Sequence, residues 1–116
     1  MNNEKPLLNH FNEYRERMNA SILKRDNKVI KRLYNLDTNT YLDGALPAKT
    51  KEMLGLVASM VLRCDECIKY HVLQCHNLGV SDEEMFEIFS VANIVGGTIV
   101  IPHTRRAVEF WDELRD

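Results

Sequence analysis

The stretch from Glu52 to His71, EMLGLVASMVLRCDECIKYH, constrains this chain more than any other, because its carboxylate, two thiols and imidazole stand at spacings that one helical hairpin can gather. Leu56 and Met60 continue the stripe that Glu52 begins, at i, i+4 and i+8, so the carboxylate falls on an otherwise apolar helix face. A carboxylate on a buried face needs a partner. Arg63-Cys64-Asp65-Glu66 then interrupts the apolar run and reads as the first turn of a new helix, with acids placed in that turn.

Cys64 and Cys67 are three apart, which on a helix sets their Cβ atoms about 5–6 Å from each other and their Cα atoms inside the roughly 4.4–6.8 Å window of a disulfide. Such a pair can open and close with little rebuilding. His71 lies one turn beyond Cys67 on the same face and can take the thiol proton, the thiolate being the reactive species. Unpaired backbone N–H groups and the macrodipole at the start of the helix favour an anion at Cys67. Asp65 and Glu66 oppose that anion while Arg63 and Lys69 support it, and spacing alone does not sign the sum. At about 1.5 Å per residue, Glu52 lies about 16 Å before the Arg63 turn and His71 about 10 Å after it. That offset predicts a link through water, a relay of Glu52, water, His71 and Cys67.

The pattern Glu, eleven residues, Cys-x-x-Cys, three residues, His, carried here by Glu52, Cys64, Cys67 and His71, resembles the signature of the alkylhydroperoxidase D branch of the carboxymuconolactone decarboxylase family. The downstream segments LGVSDEE and VGGTIVIPHTRRAVEF resemble that family too, so the likeness runs from Leu46 to Leu114. The resemblance implies an all-α, AhpD-like helical bundle of about five to six helices, with a central hairpin carrying the Cys-x-x-Cys motif, assembled as a trimer or hexamer. It also implies a thiol-dependent peroxidase. In that role Cys67 attacks a hydroperoxide, Cys64 is the resolving thiol, and His71 with Glu52 forms the proton relay. No haem, flavin or nicotinamide motif is visible, so no cofactor is expected and the electrons would come through a partner or a small thiol: an external dithiol, or a thioredoxin-like or lipoyl reductant. Glu66 departs from the peroxidase pattern, which carries an aromatic residue before the second cysteine; this bears on rate and reductant but leaves the dithiol. The founding decarboxylases lack the cysteine pair, which disfavours lactone decarboxylation here.

The alternatives are a disulfide reductase or redox relay without peroxidase activity, and a metal-binding or non-catalytic oligomeric member of the same fold. Cys64, Cys67, His71 and Cys75 look like zinc ligands in one-letter code. On one helix, however, the outer two are about 16 Å apart by rise, and zinc needs every ligand within about 2.0–2.3 Å of one point. A metal site is therefore not expected from these four. Its surviving form would use two or three of them with a ligand such as His103.

Length and charge set the remaining bounds. A chain of 116 residues suits a single domain spanning 1–116, with residues 1–44 as an N-terminal helical extension. A net charge of −2 argues against a nucleic-acid partner. No run approaches the roughly 18 apolar residues of a membrane span. The start MNNEKPLLNHFNEY lacks an apolar signal core, so a cytoplasmic location is expected. Three cysteines do not make a disulfide framework, and a close pair in a reducing compartment points to redox or metal chemistry.

Leu7, Leu8, Phe11, Tyr14, Met18 and Ile22 recur at three and four, giving an amphipathic first helix that serves core packing and oligomer contact, or a substrate lid. Val29, Ile30, Leu33 and Tyr34 continue it or form a second. Residues 37–47 are rich in turn formers and read as a linker ending in Pro47, suited to a helix's first turn. Helices follow from Pro47 to Leu62 and on to Leu78, where Gly79 can terminate the second. Ser81 and Glu84 match a capping box opening the Met85, Ile88, Phe89, Ala92 stripe. Gly96-Gly97 ends that helix or packs closely, and Pro102 starts or kinks the last one. Cys75 is expected to be a buried, inert thiol. His103 suits a pocket wall or an interface, His10 and His76 the surface, and Arg105-Arg106 a solvated face. No strand-like alternation is present, so the class is all-α.

Overall fold

The structure is a computed structural model that describes residues 4–116. Six α-helices follow one another: α1 (Pro6–Leu23), α2 (Lys28–Thr40), α3 (Ala48–Val61), α4 (Asp65–Asn77), α5 (Asp82–Gly96) and α6 (Ile101–Arg115), the last preceded by a single 3₁₀ turn at Thr98–Val100. Among the described residues there is no strand, so the all-α class holds. Among the described residues, no helix is long and apolar enough to cross a membrane.

The centre is the antiparallel hairpin α3–α4, with α5 packed on α3 and α6 on α4. Leu56, Met60, Ile68, Val72, Met85, Phe110 and Trp111 are fully buried between these four helices. Burying each such side chain stabilises the fold by about 1.5–3 kcal/mol, which is why the four helices cohere. Trp111 satisfies its indole N–H by donating to Asp82 Oδ1 at 2.9 Å.

Helix α1 joins this core through Phe11, whose ring meets Phe110 edge-on with centroids 5.7 Å apart. Its first turn interlocks with the end of α6. The Glu113 carboxylate accepts the backbone N–H groups of Leu7 and Leu8 at 3.1 and 2.9 Å. In return Lys5 Nζ donates to the carbonyls of Glu113 and Leu114, each at 2.9 Å. Unpaired groups at two helix ends are thus satisfied together.

The break left open between Ile22 and Val29 falls at Lys24–Asn27, where Asp26 is left-handed (φ 56°) and Asn27 caps α2 by accepting the Ile30 N–H. Helix α2 runs to Thr40, so the linker begins at Tyr41 and not at Asp37 as the turn-forming residues suggest. Two of those polar side chains bond within the helix, Asn39 to Asn35 and Thr40 to the Leu36 carbonyl, and so do not break it. No residue of α2 is buried, and Val29, Leu33 and Leu36 stay exposed. Pro47 caps α3, the Ser81–Glu84 capping box opens α5, and Pro102 lies in the first turn of α6, where it starts the helix.

Candidate functional site

The α3–α4 turn places the dithiol. Helix α3 ends in a Schellman motif, with the Arg63 N–H on the Met60 carbonyl and the Cys64 N–H on the Ser59 carbonyl, both at 3.0 Å. This requires a left-handed residue, and Arg63 adopts it at φ 61°. The next residue, Cys64, is extended and already caps α4: its Sγ accepts the Cys67 N–H at 3.3 Å. Asp65 and Glu66 occupy the first turn, as expected, and Cys67 is the third helical residue. The Cys64 and Cys67 sulfurs are bonded, with Cα atoms 5.3 Å apart. Cys67 is exposed, while Cys64 is partly covered.

His71 is buried one turn further along α4, and its Nδ1 lies 2.7 Å from Oε1 of the buried Glu52. The contact is direct, which corrects the expected water bridge. Gly55 and His71 stand equally far in sequence from Arg63, so the imidazole comes level with Gly55. A Cβ at Gly55 would lie 2.7 Å from His71 Cε1 and 2.9 Å from Nε2. The missing side chain lets the ring rest on the backbone of α3, where Glu52, one turn away, reaches it. Counting helical rise alone ignores both the width of the ring and the reach of the carboxylate. With Nδ1–H donated to Glu52, Nε2 is the lone-pair nitrogen able to accept a proton.

Two tyrosines enclose this histidine, the Tyr41 and Tyr70 ring centroids each lying 5.3 Å from the imidazole. Burial pushes both phenols above their ordinary range, and the charges of Glu52 and Asp37 add to that. A cavity of about 170 Å³ is lined by Arg15, Asp37, Glu66, Cys67, Tyr70 and His71, so the outer sulfur and the imidazole open onto one space. The walls from α1 and α2 were not identified from the sequence. One signal was available: an isolated glycine inside the apolar run of α3, a position that usually marks close packing.

A second acid–histidine pair lies at the same helix end. Asp65 accepts from His103 Nδ1 at 2.8 Å and from Arg106 Nε at 3.2 Å, tying the start of α4 to α6. Burial pushes the Asp65 carboxyl up, but the hydrogen bonds and charges of His103 and Arg106 outweigh it and hold the group below its ordinary value. His103 therefore bonds within its own chain, and Arg106 is paired. His76 is half-buried against Trp111, ring centroids 5.8 Å apart, where the surface was expected. Cys75 is fully buried, and burial, with the Glu52 charge adding, pushes its thiol up to about 12. Among the described residues, no three His, Cys, Asp or Glu side chains gather as a metal site.

The profile of the carboxymuconolactone decarboxylase family matches residues 27–110, most of the chain and all of the α3–α4 hairpin. The chain belongs to the carboxymuconolactone decarboxylase family. Two crystal structures of a Thermotoga maritima protein are 54% and 53% identical to it, with TM-scores of 0.88 and 0.87. Each alignment covers 91% of this chain, with 93% of the Thermotoga chain covered in the first and 90% in the second. The second is described as a family member with a suggested part in an antioxidative response. An apo family protein from Legionella pneumophila, at 24% identity and a TM-score of 0.84 over 93% of this chain and 96% of its own, shares the fold. Curated relatives are more distant: an uncharacterised Cupriavidus necator protein (26% identity, 62% of this chain) and a Paracoccus denitrificans protein of the cox locus (28%, 64%). The matched regions span 64% and 67% of those relatives' lengths.

Proposed function

We propose that this protein is a thiol-dependent peroxidase in which Cys67 attacks the substrate, Cys64 resolves the product, and the Glu52–His71 pair handles the proton. The observation that carries this reading is the 170 Å³ cavity onto which Cys67 and His71 both open, with His71 held from behind by a buried carboxylate. A nucleophile, a base and a group orienting the base are the requirements of nucleophilic catalysis. The Cys67 thiolate attacks one oxygen of a hydroperoxide ROOH, the O–O bond breaks, and the alkoxide leaves as ROH with the proton taken up by His71. Cys67 is then a sulfenic acid, and the Cys64 thiolate displaces its oxygen as water to give the disulfide. External thiol equivalents restore both thiols by exchange.

The described antioxidative part of the Thermotoga relative supports the same assignment. Exposed apolar side chains on α2 (Val29, Leu33, Leu36) and near the end of α5 (Ile94, Val95) support a homo-oligomer, a trimer or hexamer.

The test is intact mass and peptide mapping of reduced protein after one equivalent of an organic hydroperoxide. The expected result is rapid loss of two hydrogens, localised to Cys64–Cys67, and its abolition by Cys67→Ser. Thiols that survive the hydroperoxide would sink the peroxidase reading and turn attention to a disulfide reductase.

A further inference from the structure

The cavity at Cys67 carries charges that the peroxide chemistry does not use. Arg15 from α1, Asp37 from α2 and Glu66 from α4 all line it, together with Tyr70. The same four residues also line an adjoining cavity of about 520 Å³ between α1, α2 and α4. The Arg15 guanidinium lies over the Tyr70 ring, 4.5 Å from its centroid, and over Phe11 at 5.1 Å. Stacking of this kind fixes the guanidinium plane without using its hydrogen-bond donors. Among the described residues, neither Arg15, Asp37 nor Glu66 joins an ion pair. Three helices thus bring one cation and two carboxylates, none neutralised by another, to the mouth of the exposed sulfur.

We infer that this site binds a small thiol carrying both a carboxylate and an ammonium group, of the cysteine class, as the reductant of the Cys64–Cys67 bond. Arg15 pairs with the ligand carboxylate, and Asp37 and Glu66 pair with its ammonium. The space beside the sulfur, about 170 Å³, accommodates a thiol of few heavy atoms, with the adjoining cavity open beyond it. A tripeptide thiol with two carboxylates has the wrong charge for a site already in acidic excess.

The ligand thiolate attacks Cys67, the cysteine that lines the cavity, and the Cys64–Cys67 bond breaks. Cys64 leaves as thiolate, held by the Cys67 N–H that its sulfur already accepts. A second ligand thiolate attacks the mixed disulfide, releasing the ligand disulfide and the Cys67 thiolate. Two ligand thiols are oxidised and one protein disulfide is reduced.

This inference rests on reading Cys64–Cys67 as a redox pair, and its test begins from the disulfide form made with diamide, so that the hydroperoxide step plays no part. The rate of thiol appearance is measured with cysteine, cysteamine and 3-mercaptopropionate, each divided by the rate with 2-mercaptoethanol in the same variant. Arg15→Gln lowers the cysteine-to-cysteamine ratio about two- to fivefold, and Asp37→Asn lowers the cysteine-to-3-mercaptopropionate ratio by a similar factor, the size of an exposed ion pair. Comparing one ratio between variants cancels the intrinsic reactivity of each thiol. If either ratio is unchanged in its variant, the assignment is overturned. The peroxidase reading is tested apart from this by the hydroperoxide experiment above.

Discussion

Replacing Gly55 with alanine separates the site from the scaffold. In an ordinary helix interior the change favours folding by about 0.8–1 kcal/mol, because glycine has more backbone freedom to lose. Here the new methyl lies 2.7 Å from Cε1 and 2.9 Å from Nε2 of His71, and 2.8 Å from the Tyr41 hydroxyl. Overpacking of this kind costs about 1–3 kcal/mol. The net is a loss of about 1 kcal/mol, which lowers Tm by about 4 °C at this chain length. Relief of the contact moves the imidazole off α3 and away from Glu52, so hydroperoxide-driven disulfide formation slows by about 10- to 100-fold, the scale of a displacement near 1 Å. Thermal unfolding and stopped-flow quenching with mass detection read the two effects. Gly79→Ala is the contrast. Gly79 has φ 84° and no atom within 4 Å of an added Cβ, so that variant loses about 1–2 kcal/mol through its backbone and keeps the oxidation rate. A Gly55→Ala protein that melts higher and oxidises at the wild-type rate would refute the reasoning, for that is how an unencumbered helical glycine behaves.

Glu52→Ala removes the acceptor of a buried imidazole N–H and lowers stability by about 1–3 kcal/mol in denaturant unfolding; Glu52→Gln keeps an acceptor and loses less, and equal losses would count against the direct bond. The Asp65 carboxyl is held below its ordinary 3.8, so its stabilisation is present above that pH and is lost as pH falls through the lower folded value. The stability gap between wild type and Asp65→Asn is therefore open at pH 6 and closes below about pH 4 in acid titrations; a gap that widens on acidification contradicts this. With its thiol pushed up to about 12, Cys75 stays unlabelled by iodoacetamide at pH 8 in the reduced native protein, while Cys64 and Cys67 are labelled. Peptide mapping decides, and equal labelling of all three would overturn it. Light scattering is expected to show a trimer or hexamer, and charged substitutions at Ile94 and Val95 to shift it towards monomer; a wild-type monomer counts against those faces as subunit contacts.

Much of the site is legible in the sequence because it depends on helical spacing. Cys67 and His71 lie on α4 with Cys64 at its N-cap, and their juxtaposition still follows from three- and four-residue steps. Glu52 was legible as a carboxylate on an apolar face, but its partner contact depended on the width of the hairpin, which no rise per residue contains. Arg15, Asp37 and Tyr41 were not legible as site residues because they come from α1, α2 and the linker, brought in by tertiary packing. The break between α1 and α2 was hard to place for a related reason. It uses a left-handed aspartate and an asparagine cap, with no glycine or proline to mark it.

The undetermined sum of charges at the start of α4 now resolves into two parts. Asp65, which would repel a thiolate on its neighbour, is held by His103 and Arg106, so much of its charge is answered from α6. Glu66 has no such partner among the described residues and faces the cavity beside Cys67. The two acids that look equivalent in sequence are therefore differently placed, one anchoring the helix and one facing the cavity. If so, Glu66→Gln changes which thiols and hydroperoxides react at Cys67, while Asp65→Asn changes the stability of the helix start. Rates across a series of charged and neutral thiols, set beside the unfolding data, separate them: a shift in thiol preference from Asp65→Asn as large as that from Glu66→Gln would refute the division.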